Sequence, residues 1–292
     1  MKKQTLKDIV DKKTSGEKIT MLTAYDYPMA RIIDQAGIDI ILVGDSVANV
    51  VLGLDSTKAM TMDQMIYHAS AVRRGAPNAL VVGDMPFESY QVDSVRAACN
   101  AKRFVNEAGC DAIKLEWFDQ CLDVAKEIIK SEVSVMGHIG LTPQTADRLG
   151  GFKVQGKDAE SAKHLIDQAQ ALEQAGCFSL VLECIPDKIA QMITEKLSIP
   201  TIGIGAGPHC DGQVLVTHDI LGFFDRFKPK FVKQYMDLSS MITGAVTLYR
   251  NEVLLSQFPS KEQSFIIKDE EMDKLRRNPA SLKNAPGVNS HE

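Results

Sequence analysis

Seven polar residues stand where short apolar runs end, and their types suit one kind of chemistry. Asp45 and Ser46 close the run ILVG, Asp84 closes LVVG, and Glu183 closes LVL. In AIKLEW, Lys114 and Glu116 are two residues apart, which puts both on one face of an extended segment. His138 closes VMG, just ahead of IGLTPQ. Four acids converging on one place are costly to bury unless a cation neutralises them. Carboxylate oxygens are hard ligands, so the set favours Mg2+ or a similar ion over zinc and leaves positions for water or substrate oxygens. Lys114 is suited to pairing with an acid or to holding a substrate carboxylate. Glu183, in an otherwise apolar run, is the candidate for proton abstraction. Taken singly, an Asp after a strand is a common helix cap and a histidine such as His138 a common structural residue. The recurrence of GDS and GDM at equivalent run ends argues against that reading for Asp45 and Asp84.

Positioning these residues at one mouth requires parallel strands that all end on the same side. The runs 19–26, 38–46, 79–86, 112–117, 134–140, 179–186 and 201–207 are nearly continuous in Val, Ile and Leu, the pattern of strands buried on both faces. A less clear eighth run is placed at 230–235. Helical stretches alternate with them at 61–74, 94–108, 121–130, 161–175 and 188–197. Gly37, Gly109 and Gly176 follow Ala at the ends of such stretches and read as left-handed helix caps. About eight such units in a chain of this size predict a (β/α)8 barrel, a TIM barrel whose reactive groups lie at the C-terminal strand ends. The competing open, doubly wound sheet lacks its GxGxxG after the first run. A short helix within residues 1–16 is expected to plug the bottom. Residues 1–265 are read as a single barrel domain and 266–292 as a polar extension, partly helical or disordered. The GIGAG run at Gly203–Gly207 is compatible with a phosphate cradle or simply with close backbone turns.

Composition excludes several classes. The 292 residues are 45% hydrophobic with a formal charge of −5, a poor match to nucleic-acid binding. No apolar run approaches the roughly 18–20 residues of a membrane span, and MKKQTLKDIVDKK lacks the apolar stretch of a secretory signal. Six scattered cysteines without CxxC spacing read as reduced thiols, so a cytoplasmic location is expected.

Longer segments then carry a resemblance. KITMLTAYDYPMARIIDQAGID, ILVGDSVANVVLGLDST, VVGDMPFESY, AIKLE, VMGHIGLTPQ, LVLE and IGIGAGPHCDGQVLVTHDILG are similar to the ketopantoate hydroxymethyltransferase family. The resemblance implies a (β/α)8 barrel with Asp45 and Asp84 as Mg2+ ligands and Glu116 as a third acid at the metal, through water. It also implies that Asp45, Ser46, Asp84 and Lys114 contact the 2-oxo acid, that Glu183 is the proton acceptor, and that His138 lines the mouth. The implied reaction joins 3-methyl-2-oxobutanoate to the one-carbon unit of 5,10-methylenetetrahydrofolate, giving 2-dehydropantoate for pantothenate and coenzyme A biosynthesis. Large homo-oligomers, commonly decamers, are implied as well. The chain departs from the family pattern at His209 and Cys210 and in continuing past Phe265. The runner-up is a Mg2+-dependent C–C lyase or mutase of the phosphoenolpyruvate mutase and isocitrate lyase type, whose KKCGH-like loop is missing here.

Overall fold

Runs of Ile, Val and Leu too short for helices pair side by side, and the intervening amphipathic stretches pack over them. The computed structural model describes residues 2–224, 226 and 228–277. Eight strands form a closed barrel in sequence order: β1 Ile19–Thr23, β2 Ile40–Val43, β3 Leu80–Asp84, β4 Ala112–Glu116, β5 Val135–Gly140, β6 Ser179–Glu183, β7 Thr201–Ile204 and β8 Gly212–Leu215. Every pairing is parallel, and β8 closes on β1 with Ile19 opposite Gly212. The helices are α1 Leu6–Ser15, α2 Tyr27–Gln35, α3 Val47–Val50, α4 Met62–Gly75, α5 Phe87–Tyr90, α6 Ser94–Asn106, α7 Cys121–Lys130, α8 Ala159–Gln174, α9 Asp187–Lys196, α10 Thr217–Ile220, α11 Leu238–Leu254 and α12 Asp269–Arg277.

Alternation along each strand divides the core in two. Ile19, Met21, Ile40, Leu42, Leu80, Val82, Met136, Val181, Ile202 and Val214 fill the barrel interior. Ile41, Val43, Val81, Ile113 and Leu115 point outward and pack with helix residues such as Phe104 and Leu172. The interior is therefore packed, and open space for chemistry exists only at the strand ends. The predicted caps form: Gly37, Gly109 and Gly176 have φ of 81°, 72° and 100°.

The bottom is closed by the N-terminal segment. Ile9 of α1 is fully buried among the interior side chains. Three lysines ring it, each paired with an Asp that immediately precedes a strand: Lys3 with Asp111 at 3.0 Å, Lys12 with Asp39 at 2.7 Å and Lys13 with Asp211 at 2.7 Å. Each Asp also accepts from the main-chain N–H of the preceding strand, at Val81, Thr20 and Thr201 respectively.

One expectation needs correction. The run Lys230–Tyr235 is not a strand; the barrel closes with Gly212–Leu215 instead. Two compact units are distinguished, one spanning Met1–Asp237 and a second comprising Leu238–Glu292. Within the second unit, α12 lies inside the polar extension, and residues 278–292 of that extension are outside the described residues. Among the described residues, no helix is long and apolar enough to cross a membrane.

Candidate active site

Strand register assembles the mouth. Asp84, the last residue of β3, lies opposite Lys114 of β4, and Glu116 lies opposite His138 of β5. Directly opposed residues share a face, so all four project into the barrel together. Asp45 and Ser46 follow β2 by way of Gly44, and Glu183 ends β6. Ser46 precedes α3 but makes no side-chain cap there; its Oγ sits 2.8 Å from the Tyr25 hydroxyl.

The contacts are close and nearly dry. Lys114 Nζ donates to Asp84 Oδ1 at 2.6 Å, with Asp84 only 1% and Lys114 4% exposed. The main-chain N–H of Asp45 donates to Asp84 Oδ2 at 3.2 Å. His138 lies between two acids, with Nδ1 3.5 Å from Glu116 Oε1 and Nε2 3.2 Å from Glu183 Oε2. Both ring nitrogens of His138 therefore face a carboxylate oxygen. Glu183 is the most open of the acids in contact with the group, its side chain 14% exposed.

Three buried carboxylates and Glu183 face one ammonium and one imidazole, and proton affinities respond. Burial, together with repulsion from Asp45 and Glu116, outweighs Lys114 and pushes Asp84 up to about 7. Burial likewise raises Glu116. Lys114 loses solvation, but Asp84, Glu116 and Asp45 more than compensate, and its pKa rises. For His138 burial opposes the charge, yet Glu116 and Glu183 prevail and push it up to about 9. Four acids thus stand against two cations, Lys114 and the protonated His138, and the site remains short of positive charge.

The backbone beneath Glu183 is built for close approach. Gly140 has φ of 94°, and a Cβ there would lie 2.2 Å from the Glu183 carbonyl oxygen. That carbonyl accepts from the N–H of Leu141 at 2.9 Å, and Cys184, next to Glu183, is itself left-handed at φ 49°. Packing also accounts for the GIGAG glycines: a Cβ on Gly207, φ 78°, would come 2.5 Å from Asp187 Cβ.

All seven residues singled out in the sequence come to this mouth. One residue beside them was not singled out. Gln144, fully buried in the turn Pro143–Thr145 after β5, contacts Asp45, Glu116 and Tyr90. Its segment, IGLTPQ, was legible only as part of a motif. A separate cavity of about 280 Å³, lined by Trp117, Arg148, Gln155, His164 and Gln168 among others, contains none of the seven. Among the described residues, no three His, Cys, Asp or Glu side chains already converge as a metal cage.

The profile of the ketopantoate hydroxymethyltransferase family matches residues 3–261. The chain belongs to this family. A Syntrophomonas wolfei subsp. wolfei protein named 3-methyl-2-oxobutanoate hydroxymethyltransferase is 54% identical over 275 residues, covering 94% of this chain and 100% of that protein. A Geobacter metallireducens protein of the same name is 55% identical over 264 residues, covering 90% and 99%. The family member described here is accordingly an enzyme, a hydroxymethyltransferase with a TIM-barrel fold. Among solved structures, phosphonopyruvate hydrolase in complex with oxalate and Mg++ shares the fold, with a TM-score of 0.59 at 12% identity over 96% of this chain and 97% of that one. Phosphoenolpyruvate phosphomutase from Streptomyces platensis subsp. rosaceus has a TM-score of 0.60 at 12% identity over 96% and 98%. The runner-up class thus shares the architecture, while the sequence relatives belong to the hydroxymethyltransferases.

Proposed function

We propose that this enzyme transfers a hydroxymethyl group from 5,10-methylenetetrahydrofolate to 3-methyl-2-oxobutanoate, giving 2-dehydropantoate and tetrahydrofolate in pantothenate and coenzyme A biosynthesis. The observation that carries the reading is a charge-deficient cluster of three buried carboxylates with a more open Glu183 at its edge. Relatives sharing more than half their residues with this chain bear the corresponding name.

The donor set fits a hard divalent ion. All three side chains offer oxygen, they are buried, and with Glu183 they outnumber the two cations present, Lys114 and His138. Asp45, Asp84 and Glu116 would hold Mg2+, with Glu116 acting through water. When bound, Mg2+ supplies Lewis-acid stabilisation of the negative charge that develops on the keto oxygen of the 2-oxo acid. Lys114 and Ser46 then orient the substrate, Lys114 toward its carboxylate and Ser46 through a hydroxyl held by Tyr25. Glu183 takes the proton from C3, and the adjacent His138 steadies its carboxylate. The C3 carbon attacks the methylene carbon of the folate as one of its two C–N bonds breaks, and water displaces the second nitrogen and supplies the hydroxyl of the product; the proton taken by Glu183 and one proton of the water end on the two nitrogens of tetrahydrofolate. We assign the enzyme to the cytoplasm as a homo-oligomer, a decamer by family resemblance.

The test is exchange of the C3 hydrogen of 3-methyl-2-oxobutanoate for deuterium, with Mg2+ or with chelator, before folate is added. Mg2+-dependent exchange is expected. Glu183→Gln should retain substrate binding and slow exchange by at least ~10²-fold, the usual worth of a positioned base. Exchange that persists in Glu183→Gln removes Glu183 from the role. A parent enzyme without exchange, and without product when methylenetetrahydrofolate is supplied, overturns the whole reading.

A further inference from the structure

Gln144 is a neutral side chain placed among charged ones, fully buried, with both polar atoms of its side-chain amide engaged. Its main-chain N–H donates to Glu116 Oε2 at 3.0 Å. Nε2 donates both to Asp45 Oδ2 at 2.9 Å and to the Met85 carbonyl at 3.1 Å. Oε1 accepts from the Tyr90 hydroxyl at 2.6 Å. Turning the amide over would set its oxygen against two acceptors, Asp45 Oδ2 and the Met85 carbonyl, so only one orientation is workable. Tyr90 is itself fully buried at the end of α5, its ring edge-on to Phe118 at 5.4 Å. The amide is therefore fixed from behind and ties together groups at the ends of β2 and β3, while the main-chain N–H of the same residue holds Glu116 at the end of β4.

We propose that Gln144, locked by Tyr90, is a positioning residue that sets the affinity of the acidic mouth for Mg2+; the inference rests on the Mg2+ reading above. Two carboxylates that repel each other in a dry site relax by rotating apart. Gln144 opposes this by occupying one oxygen of Asp45 and one of Glu116 with N–H donors. The donors also return part of the missing positive potential without adding a charge. Partners behind ligating groups are typically worth 10–100-fold in metal affinity.

The experiment titrates metal-free, full-length protein with Mg2+ alone by calorimetry, for the parent, Gln144→Met and Tyr90→Phe. Gln144→Met keeps length and apolar volume but loses the amide, and about 10–100-fold weaker Mg2+ binding is expected. Tyr90→Phe deletes one hydroxyl and keeps the ring, so a smaller loss in the same direction is expected. The Mg2+ concentration giving half-maximal C3 exchange should rise by the factor measured in the titration, while the maximal rate falls by less. A purely structural role would lower the melting temperature and leave the Mg2+ affinity of the folded protein unmoved. Should Gln144→Met fail to fold, Tyr90→Phe decides. Parent-like Mg2+ affinity in the folded variants overturns the proposal and leaves the Mg2+ reading standing; a parent that binds no Mg2+ overturns both.

Discussion

Asp84 and His138 both bind protons more tightly in the fold than their ordinary values of 3.8 and 6.5 would allow, and the consequences have the same sign. A group whose pKa is raised by folding lends stability at low pH and loses it as pH climbs through the folded value. For Asp84 that value is about 7 and for His138 about 9, so metal-free protein should weaken steadily as pH rises from mildly acidic toward 9. Denaturation by urea in chelator should show the decline. Asp84→Asn should flatten its lower part, and Mg2+ should offset it most at high pH, where the acids are ionised. Stability that is level or rising over this range without metal would contradict the electrostatic account. Asp45, Asp84 and Glu183 were legible in the sequence because a charged residue that ends an apolar run must sit at a strand terminus. Gln144 was not, since a Pro-Gln after a strand reads as an ordinary turn. Its partners Asp45 and Tyr90 are 99 and 54 residues away in the chain, and only closure of the barrel brings them together.

Strands and helices divide the labour between the two ends of the barrel. At the bottom the pre-strand aspartates pin one strand to the next and dock the N-terminal segment. Asp211 Oδ2 accepts from Thr201 N at 2.8 Å, Thr201 Oγ1 at 3.1 Å and Lys13 Nζ at 2.7 Å. Removing it strands donors in a part-buried setting, so Asp211→Ala should cost about 2–3 kcal/mol in urea unfolding, by the usual worth of hydrogen bonds to a charged group. C3 exchange by the protein that remains folded should stay near the parent rate, because the acids lie at the opposite strand ends. Loss of exchange without loss of stability would show that the bottom is coupled to the chemistry. Seven of the eight strands were legible as apolar runs. The eighth was not, because β8 has four residues, begins at Gly212 and leaves Gln213 exposed. Glycine is required at that place: a Cβ on Gly212 would lie 2.5 Å from the Ile19 carbonyl oxygen, where the last strand meets the first. Lys230–Tyr235 imitated a strand through Phe231 and Val232, yet no strand edge remains open to receive it once β8 has paired with β1.

At the scale of the molecule, the second unit taken by itself has more apolar side chains than it can bury. Its 17-residue helix α11 has no buried residue. Met241, Val246, Leu248 and Leu254 on it are each 60% or more exposed, and Phe265 and Ile266 beyond it more so. Water-exposed apolar area on this scale marks a surface meant to be covered. Copies of the same chain related by closed symmetry are the economical way to cover it, in keeping with the proposed homo-oligomer. Sedimentation should therefore find the protein as a multiple of its 32.1 kDa chain, a decamer if the family habit holds. The double variant Leu248→Glu with Leu254→Glu should shift the distribution to smaller species, because each subunit would bring two charges into the covered face and burying them unpaired is costly. A parent that sediments as a monomer at micromolar concentration would refute the oligomer. A multimer indifferent to both substitutions would keep the oligomer and move its interface away from α11.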